Sequence, residues 1–153
     1  MALEIERKFL VNSNNYKIGS KQLNITQAYL KIEENFAIRI RVQDVHGTLT
    51  IKSKISDRVN KEFEYDIPID EARLLVEMSD YTHIVKTRHI VNYKEHVWEV
   101  DEFHGENKGL VVAEIELQDE LEKFAKPEWL GLEVTSDYRY LNSNLVIKPF
   151  SNW

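Results

Sequence analysis

The 153-residue chain contains no cysteine, only three prolines and five glycines, and no low-complexity stretch. Without a thiol there can be no disulfide framework, thiolate metal site or cysteine nucleophile, a usage that fits a reducing compartment. With so little Pro and Gly no linker stands out. At 42% apolar content the chain can bury one sizeable core, so a single domain over 1–153 is expected. Long apolar runs are missing too: stretches such as Leu110-Val111-Val112-Ala113 are far too short to span a bilayer, which argues against membrane insertion. Glutamates stand near the N-terminus where a secretory leader would need basic and then apolar residues, so a cytoplasmic location is expected. No G-x-x-x-x-G-K-[ST], G-x-G-x-x-G or G-x-S-x-G motif occurs, which excludes a Walker or Rossmann phosphate cradle and a hydrolase nucleophile elbow. A net charge of −6 argues against a general nucleic-acid binder, though not against a locally basic pocket.

What the chain does contain is alternation. Leu3, Ile5, Phe9 and Val11 alternate with Glu4, Glu6 and Lys8, and Ile38, Ile40 and Val42 with Arg39 and Arg41. After a turn expected at His46-Gly47, Leu49 and Ile51 alternate with Lys52 and Lys54; Phe63, Tyr65 and Ile67 alternate with Glu62, Glu64 and Asp66. Farther on, Ala113, Ile115 and Leu117 alternate with Glu114 and Glu116. A period of two with β-branched and aromatic residues on one face predicts strands. Weaker runs over 84–93, carrying Lys86 and Arg88, and over 97–103, carrying Glu99 and Asp101, read the same way, as does 22–33. Two stretches break the pattern. Over 69–78, Asp70 is placed to cap a helix whose apolar stripe would be Leu74, Leu75 and Met78, and a second helix is expected over 121–130, entered or interrupted at Pro127. About seven or eight antiparallel strands with two short helices define a β-dominated α+β chain, closed as a barrel or paired as a sandwich.

The charges favour the barrel. One charged doublet on an alternating strand is ordinarily a solvated face, but solvated faces intersperse their signs because like charges on one face repel. Here whole strands are single-signed, Arg39 with Arg41, Lys52 with Lys54 and Lys86 with Arg88 against Glu62 with Glu64 and Glu114 with Glu116. Opposed basic and acidic walls suit a closed barrel with a polar lumen, its apolar outside covered by the helices and leaving room for a homodimer. Charges in such a lumen are tolerable only if paired, wet or met by a ligand. That ligand should be multiply anionic and accompanied by a hard divalent cation, as a metal-chelated polyphosphate is. The oxygen-only pairs Glu4/Glu6 and Glu114/Glu116 suit Mg²⁺ or Mn²⁺, and Arg39 and Arg41 can clamp phosphate bidentately. His46, His83, His89, His96 and His104 show no ligand spacing and are assigned to surface or turns. Trp98, Trp129 and Trp153 are assigned to packing or termini.

Glu4-Ile5-Glu6-Arg7-Lys8 resembles the E-x-E-x-K signature of the CYTH superfamily, the triphosphate tunnel metalloenzymes. The likeness continues in order through Arg39-Ile40-Arg41, Leu49-Thr50-Ile51-Lys52, Glu62-Phe63-Glu64, Lys86-Thr87-Arg88, Val100-Asp101-Glu102-Phe103, Glu114-Ile115-Glu116 and Val134-Thr135-Ser136-Asp137-Tyr138. It implies an eight-stranded antiparallel tunnel acting on triphosphates. It also implies metal ligation by Glu4, Glu6, Glu114 and Glu116, joined by Asp101. Lys8, Arg39, Arg41, Lys52, Lys54, Lys86 and Arg88 would bind phosphate, and Glu62 and Glu64 would orient those cations, a second metal or the attacking water. Tyr29 is a further contributor by resemblance to small bacterial members. Asn60-Lys61 replaces an arginine that many members carry before the second acidic pair, and the basic C-terminal helix of larger eukaryotic relatives has no counterpart. The compact length resembles bacterial members that prefer inorganic tripolyphosphate, so metal-dependent hydrolysis of a small-molecule triphosphate is the expected activity. Lys8 is expected to orient water, with a pKa depressed by neighbouring cations. Adenylate cyclase, thiamine triphosphatase or polyphosphate binding without turnover are the alternatives.

Overall fold

The computed structural model describes residues 2–153. Nine strands form: β1 (Leu3–Val11), β2 (Lys21–Glu33), β3 (Phe36–Gln43), β4 (His46–Lys54), β5 (Val59–Ile67), β6 (Ile84–Tyr93), β7 (His96–Phe103), β8 (Val111–Leu117) and β9 (Leu130–Glu133). Two helices accompany them, α1 (Ile69–Glu77) and the single-turn α2 (Asn142–Leu145). Strands β1 to β8 pair antiparallel in the order β5-β4-β3-β2-β6-β7-β8-β1, and β1 pairs back onto β5. The sheet therefore closes as an eight-stranded barrel, which leaves few free edges. One edge of β1 is shared: Leu3 to Ile5 pair with β5, whereas Phe9 and Val11 pair with β9. The seam is thus closed by hydrogen bonds at one end and splayed around β9 at the other.

Alternation holds around the barrel except at a register shift in β2 between Tyr29 and Lys31. Apolar side chains point outward into two covered cores. Ala72 and Val76 of α1 pack onto Ala28 and Ile40 of the barrel. Gly47 makes this contact close, since a Cβ there would meet the Ala72 Cβ at 2.6 Å. Over β1, β7 and β8 lie Phe9, Tyr16, Trp98, Ile115 and Trp129, in edge-to-face aromatic contacts such as Trp98 to Trp129 at 5.7 Å. A third cluster, including Ile84, Phe103, Val112, Tyr140, Leu145 and Val146, plugs one end of the lumen. Among the described residues no helix is long and apolar enough to cross a membrane.

Four local expectations are corrected. Residues 121–130 form turns and extended chain rather than a helix, because Phe124 is drawn into the aromatic cluster and Pro127 withholds a backbone donor. Pro68, not Asp70, occupies the N-cap of α1, and no side chain caps it; Asp70 and Glu71 sit in the first turn. The buried stripe of α1 is Ala72 and Val76, with the expected Leu75 packed at its edge and Leu74 and Met78 largely exposed, so the helix is rotated by a fraction of a turn from the expected register. The β3–β4 turn is made by Asp44, with φ +52°, and Val45, since Gln43 already pairs with His46.

Candidate active site

The polar faces of all eight strands converge in the lumen. At the plugged end, Lys8, Arg39, Arg41, Lys52, Lys86, Arg88, Tyr29, Glu6 and Glu114 line a cavity of about 80 Å³. It adjoins a second cavity of about 270 Å³, lined by Glu4, Glu6, Glu62, Glu64, Glu99, Glu114 and Glu116 with Arg39, Arg41, Lys52 and Arg88. A mouth opens beside the plug, bounded by Phe36, Lys52, Lys54, Asp57 and Tyr138. Six cations face two carboxylates at the plugged end, against four cations and seven carboxylates at the other.

The cations are held by short polar contacts. Asp101, almost fully buried, accepts from Arg88 Nε at 2.7 Å and Nη2 at 2.9 Å, and pairs with Lys86 Nζ at 2.8 Å. Burial alone would raise its pKa, but Lys86 and Arg88 outweigh it and hold this carboxyl well below the ordinary range. Burial pushes Lys86 down to about 7, with Arg88 and Arg41 working against the pull of Asp101. Arg41 is lowered by burial, Arg39 and Arg88 to about 9, and stays protonated at neutral pH. Arg39 Nη2 donates to Thr50 Oγ1 at 3.2 Å, and Thr50 Oγ1 donates to Glu64 at 3.5 Å. Arg39 Nε is buried with no acceptor. An orphan donor among buried cations is what an incoming anion would satisfy.

The acidic end has the opposite imbalance. Lys52 Nζ lies 3.0 Å from Glu4 and 3.3 Å from Glu62, clasping the β1–β5 seam. Glu62 Oε2 is nonetheless a buried acceptor with no hydrogen-bond donor. Glu6 is raised to about 7, by burial first and by Glu114 next, against the pull of Lys52. Glu4 and Glu116 are also raised by burial and by neighbouring carboxylates. Glu114 is lowered, to about 2: burial and Asp101 would raise it, but Lys8, at 3.4 Å, together with Arg88 and Lys86 outweighs them. Glu6 opposes Glu116, and Lys8 opposes Glu114, across β1–β8. Carboxylates raised in this way lack counter-charge, and an oxygen-only set fits a hard divalent cation. Among the described residues no three such groups already converge into a cage.

The structure brings Glu4, Glu6, Lys8, Tyr29, Arg39, Arg41, Lys52, Lys86, Arg88, Glu62, Glu64, Glu114 and Glu116 to one lumen. At three of the expected site residues the structure adds a feature that the sequence does not show. Both oxygens of Asp101 are engaged by Lys86 and Arg88, so it anchors cations. Lys54 sits at the mouth, paired with Asp57 at 3.2 Å and over the Tyr138 ring. The Lys8 pKa is raised rather than depressed: burial would lower it, but Glu114 and Glu6 prevail. Asn60 faces the lumen and donates to Glu4 at 3.4 Å, while Arg7 points outward, its Nε 2.8 Å from Glu133. His89 is buried between Tyr16 and Ser20 rather than at the surface. The sequence reading missed Gln27, Thr50 and Asn142, and left Glu99, 3.0 Å from Arg88, without a role. Strand alternation around Tyr29, Lys52 and Asp101 marks the lumen positions of Gln27, Thr50 and Glu99; nothing comparable marks Asn142.

A closed antiparallel barrel whose lumen is cation-rich at one end and carboxylate-rich at the other defines a charged-tunnel protein. The CYTH domain family matches residues 2–148, and the chain belongs to that family. It is 44% identical over its full length to the inorganic triphosphatase of Acetivibrio thermocellus, covering 99% of that protein. It is 30% identical to the inorganic triphosphatase of Nitrosomonas europaea, over 94% of this chain and 97% of that one. The crystal structure of the inorganic triphosphatase NE1496 superposes with a TM-score of 0.70 at 30% identity, covering 96% of both chains. The PH1012 protein of Pyrococcus horikoshii, at 19% identity and TM-score 0.60 over 76% of this chain and 80% of that one, shares the fold.

Proposed function

We propose that this protein is a divalent-metal-dependent triphosphatase that hydrolyses inorganic tripolyphosphate to pyrophosphate and phosphate. The observation that carries the reading is the division of one lumen into a cation-rich and a carboxylate-rich end; the names of the two relatives above support it. Lys8, Arg39, Arg41, Lys86 and Arg88 bind the phosphoryl oxygens, and Asp101 holds two of them in place. An anion arriving beside Lys86 raises its lowered pKa, so binding favours the protonated ammonium. Arg39 Nε gains its missing acceptor. Glu4, Glu6, Glu114 and Glu116 would hold Mg²⁺ or Mn²⁺, with substrate oxygens completing the coordination shell. When bound, that cation neutralises charge on the phosphoryl oxygens.

Phosphoryl transfer asks little covalent chemistry of a protein beyond positioning and charge stabilisation. A water oxygen bonds to the terminal phosphorus, the bridging P–O bond breaks, and pyrophosphate leaves while the water's proton passes to solvent or product. Glu62 Oε2, ion-paired with Lys52 at 3.3 Å but accepting no hydrogen bond, is placed to orient that water. Lys8, kept protonated by Glu114 and Glu6, grips phosphate and does not act as a base. The test is product analysis with tripolyphosphate, pyrophosphate, ATP and thiamine triphosphate, each with Mg²⁺, Mn²⁺ or chelator. Metal-dependent phosphate release, fastest from tripolyphosphate, is expected. Cyclic AMP from ATP, or binding without any product, would overturn the proposal.

A further inference from the structure

The plug contributes more than apolar cover to the lumen. Its residues Leu141, Asn142 and Ser143 line the cation-rich cavity, and two of its oxygens reach buried lysines. The Tyr140 carbonyl lies 3.4 Å from Lys8 Nζ. Asn142 Oδ1 accepts from Lys86 Nζ at 3.0 Å and from Gln27 Nε2 at 3.0 Å. Gln27 is wholly buried, and its Oε1 accepts from Arg41 Nε at 3.1 Å.

The amide orientations follow from the partners. Arginine and lysine can only donate, so Gln27 must turn its oxygen to Arg41 and its NH₂ to Asn142, which must in turn present its oxygen to both Gln27 and Lys86. A single neutral oxygen therefore fixes one phosphate-binding cation directly and a second through one intervening side chain. With Asp101 and Asn142 each accepting from Lys86, one of its three ammonium donors remains for a ligand. With Nε held by Gln27, Arg41 is left its two terminal nitrogens for phosphate. The geometry points to Asn142 as a positioning residue for substrate binding: through Lys86 and the Gln27–Arg41 relay it sets the affinity of the cation-rich end for a triphosphate. A neutral acceptor suits the task, because a carboxylate there would cancel positive charge that the substrate needs.

This inference rests on the proposed triphosphatase activity but is tested separately from it. Calorimetric titration of tripolyphosphate into the full chain and into Asn142→Leu, Asn142→Asp and Leu145→Ala reads binding whether or not turnover occurs. Losing one hydrogen bond to a charged group should weaken binding about 10-fold or more in Asn142→Leu, with a larger loss in Asn142→Asp. Leu145→Ala loosens the plug but keeps the oxygen, and should bind within about 3-fold of the parent at a temperature where it is folded. In kinetics, KM should carry the Asn142→Leu effect, with kcat nearly unchanged. Gln27→Leu added to Asn142→Leu should cost much less than the product of the two single effects. Unchanged affinity in Asn142→Leu, an equal loss in Leu145→Ala, or independent effects of the two amides would overturn the inference. No binding of tripolyphosphate by the parent chain would overturn it as well, whereas binding without hydrolysis would overturn only the proposed activity.

Discussion

The two ends of the lumen are built from the same residue types yet are balanced differently. At the plugged end, every lysine and arginine except Lys52 is fixed by Asp101, by Glu114 or by neutral oxygens of Thr50, Gln27, Tyr140 and Asn142, while Lys52 leans to Glu4 and Glu62 of the other end. Neutral acceptors orient a cation without cancelling its charge, so the end keeps an excess of positive potential. At the other end, Glu4, Glu6 and Glu116 are all raised, and Lys52 is the cation between them. There the surplus is negative. One atom without a hydrogen-bond partner marks each end, the donor Arg39 Nε and the acceptor Glu62 Oε2, the latter still ion-paired with Lys52. A barrel that buried these charges only for stability would have paired them across the lumen, since unpaired buried ions cost several kcal/mol each.

The largest way to break this contrast is at its hinge. Asp101→Ala leaves Lys86 and Arg88 buried without their shared carboxylate, and should lower folding stability by about 3–5 kcal/mol, measured by urea unfolding. Next comes Glu6→Gln, which removes one carboxylate from the acidic end without altering shape. It should lower kcat/KM at fixed metal by about 100-fold. Saturating Mn²⁺ at about 100 times its Kd should stabilise the parent chain by about 2.7 kcal/mol, and thermal unfolding of Glu6→Gln should show a smaller shift. The smallest effect lies outside the lumen. Arg7, followed by Thr135, holds Glu133 at about 2, below its ordinary 4.5. A carboxyl lowered on folding contributes stability above pH 4.5 that is lost as pH falls towards 2. For this partly exposed pair the contribution is about 1 kcal/mol or less. Glu133→Gln should flatten that part of the acid-unfolding curve and leave turnover at neutral pH unchanged.

The same division between ends explains what could be read from the sequence. Strand alternation places Glu4, Glu6, Lys8, Arg39, Arg41, Lys86 and Arg88 on the lumen face because a period of two admits only two faces and the other was apolar. Closure of the barrel was legible through the single-signed doublets on β3, β4, β5, β6 and β8. Contacts that depend on closure were not. Asp101 belonged to an acidic doublet on its own strand, and only the β6–β7 pairing puts it opposite Arg88. Lys8 looked crowded by cations along the chain, yet its cross-strand partner is Glu114. Asn142 carries no charge and meets Gln27 from 115 residues away, beyond the reach of local periodicity. The second helix failed for a related reason: the apolar content of 121–130 serves an aromatic cluster contributed by distant strands, not a helical stripe.

The two-ended lumen is tested most directly by measuring tripolyphosphate turnover as a joint function of Mn²⁺ and substrate concentration in the parent chain, Glu6→Gln and Arg41→Gln. The expected result is a separation. Glu6→Gln should shift the metal dependence at least about 10-fold upward while the substrate KM at saturating metal stays within about 3-fold, and Arg41→Gln should do the reverse. Variants that shift both dependences equally, or neither, would contradict a lumen divided into a metal end and a phosphate end.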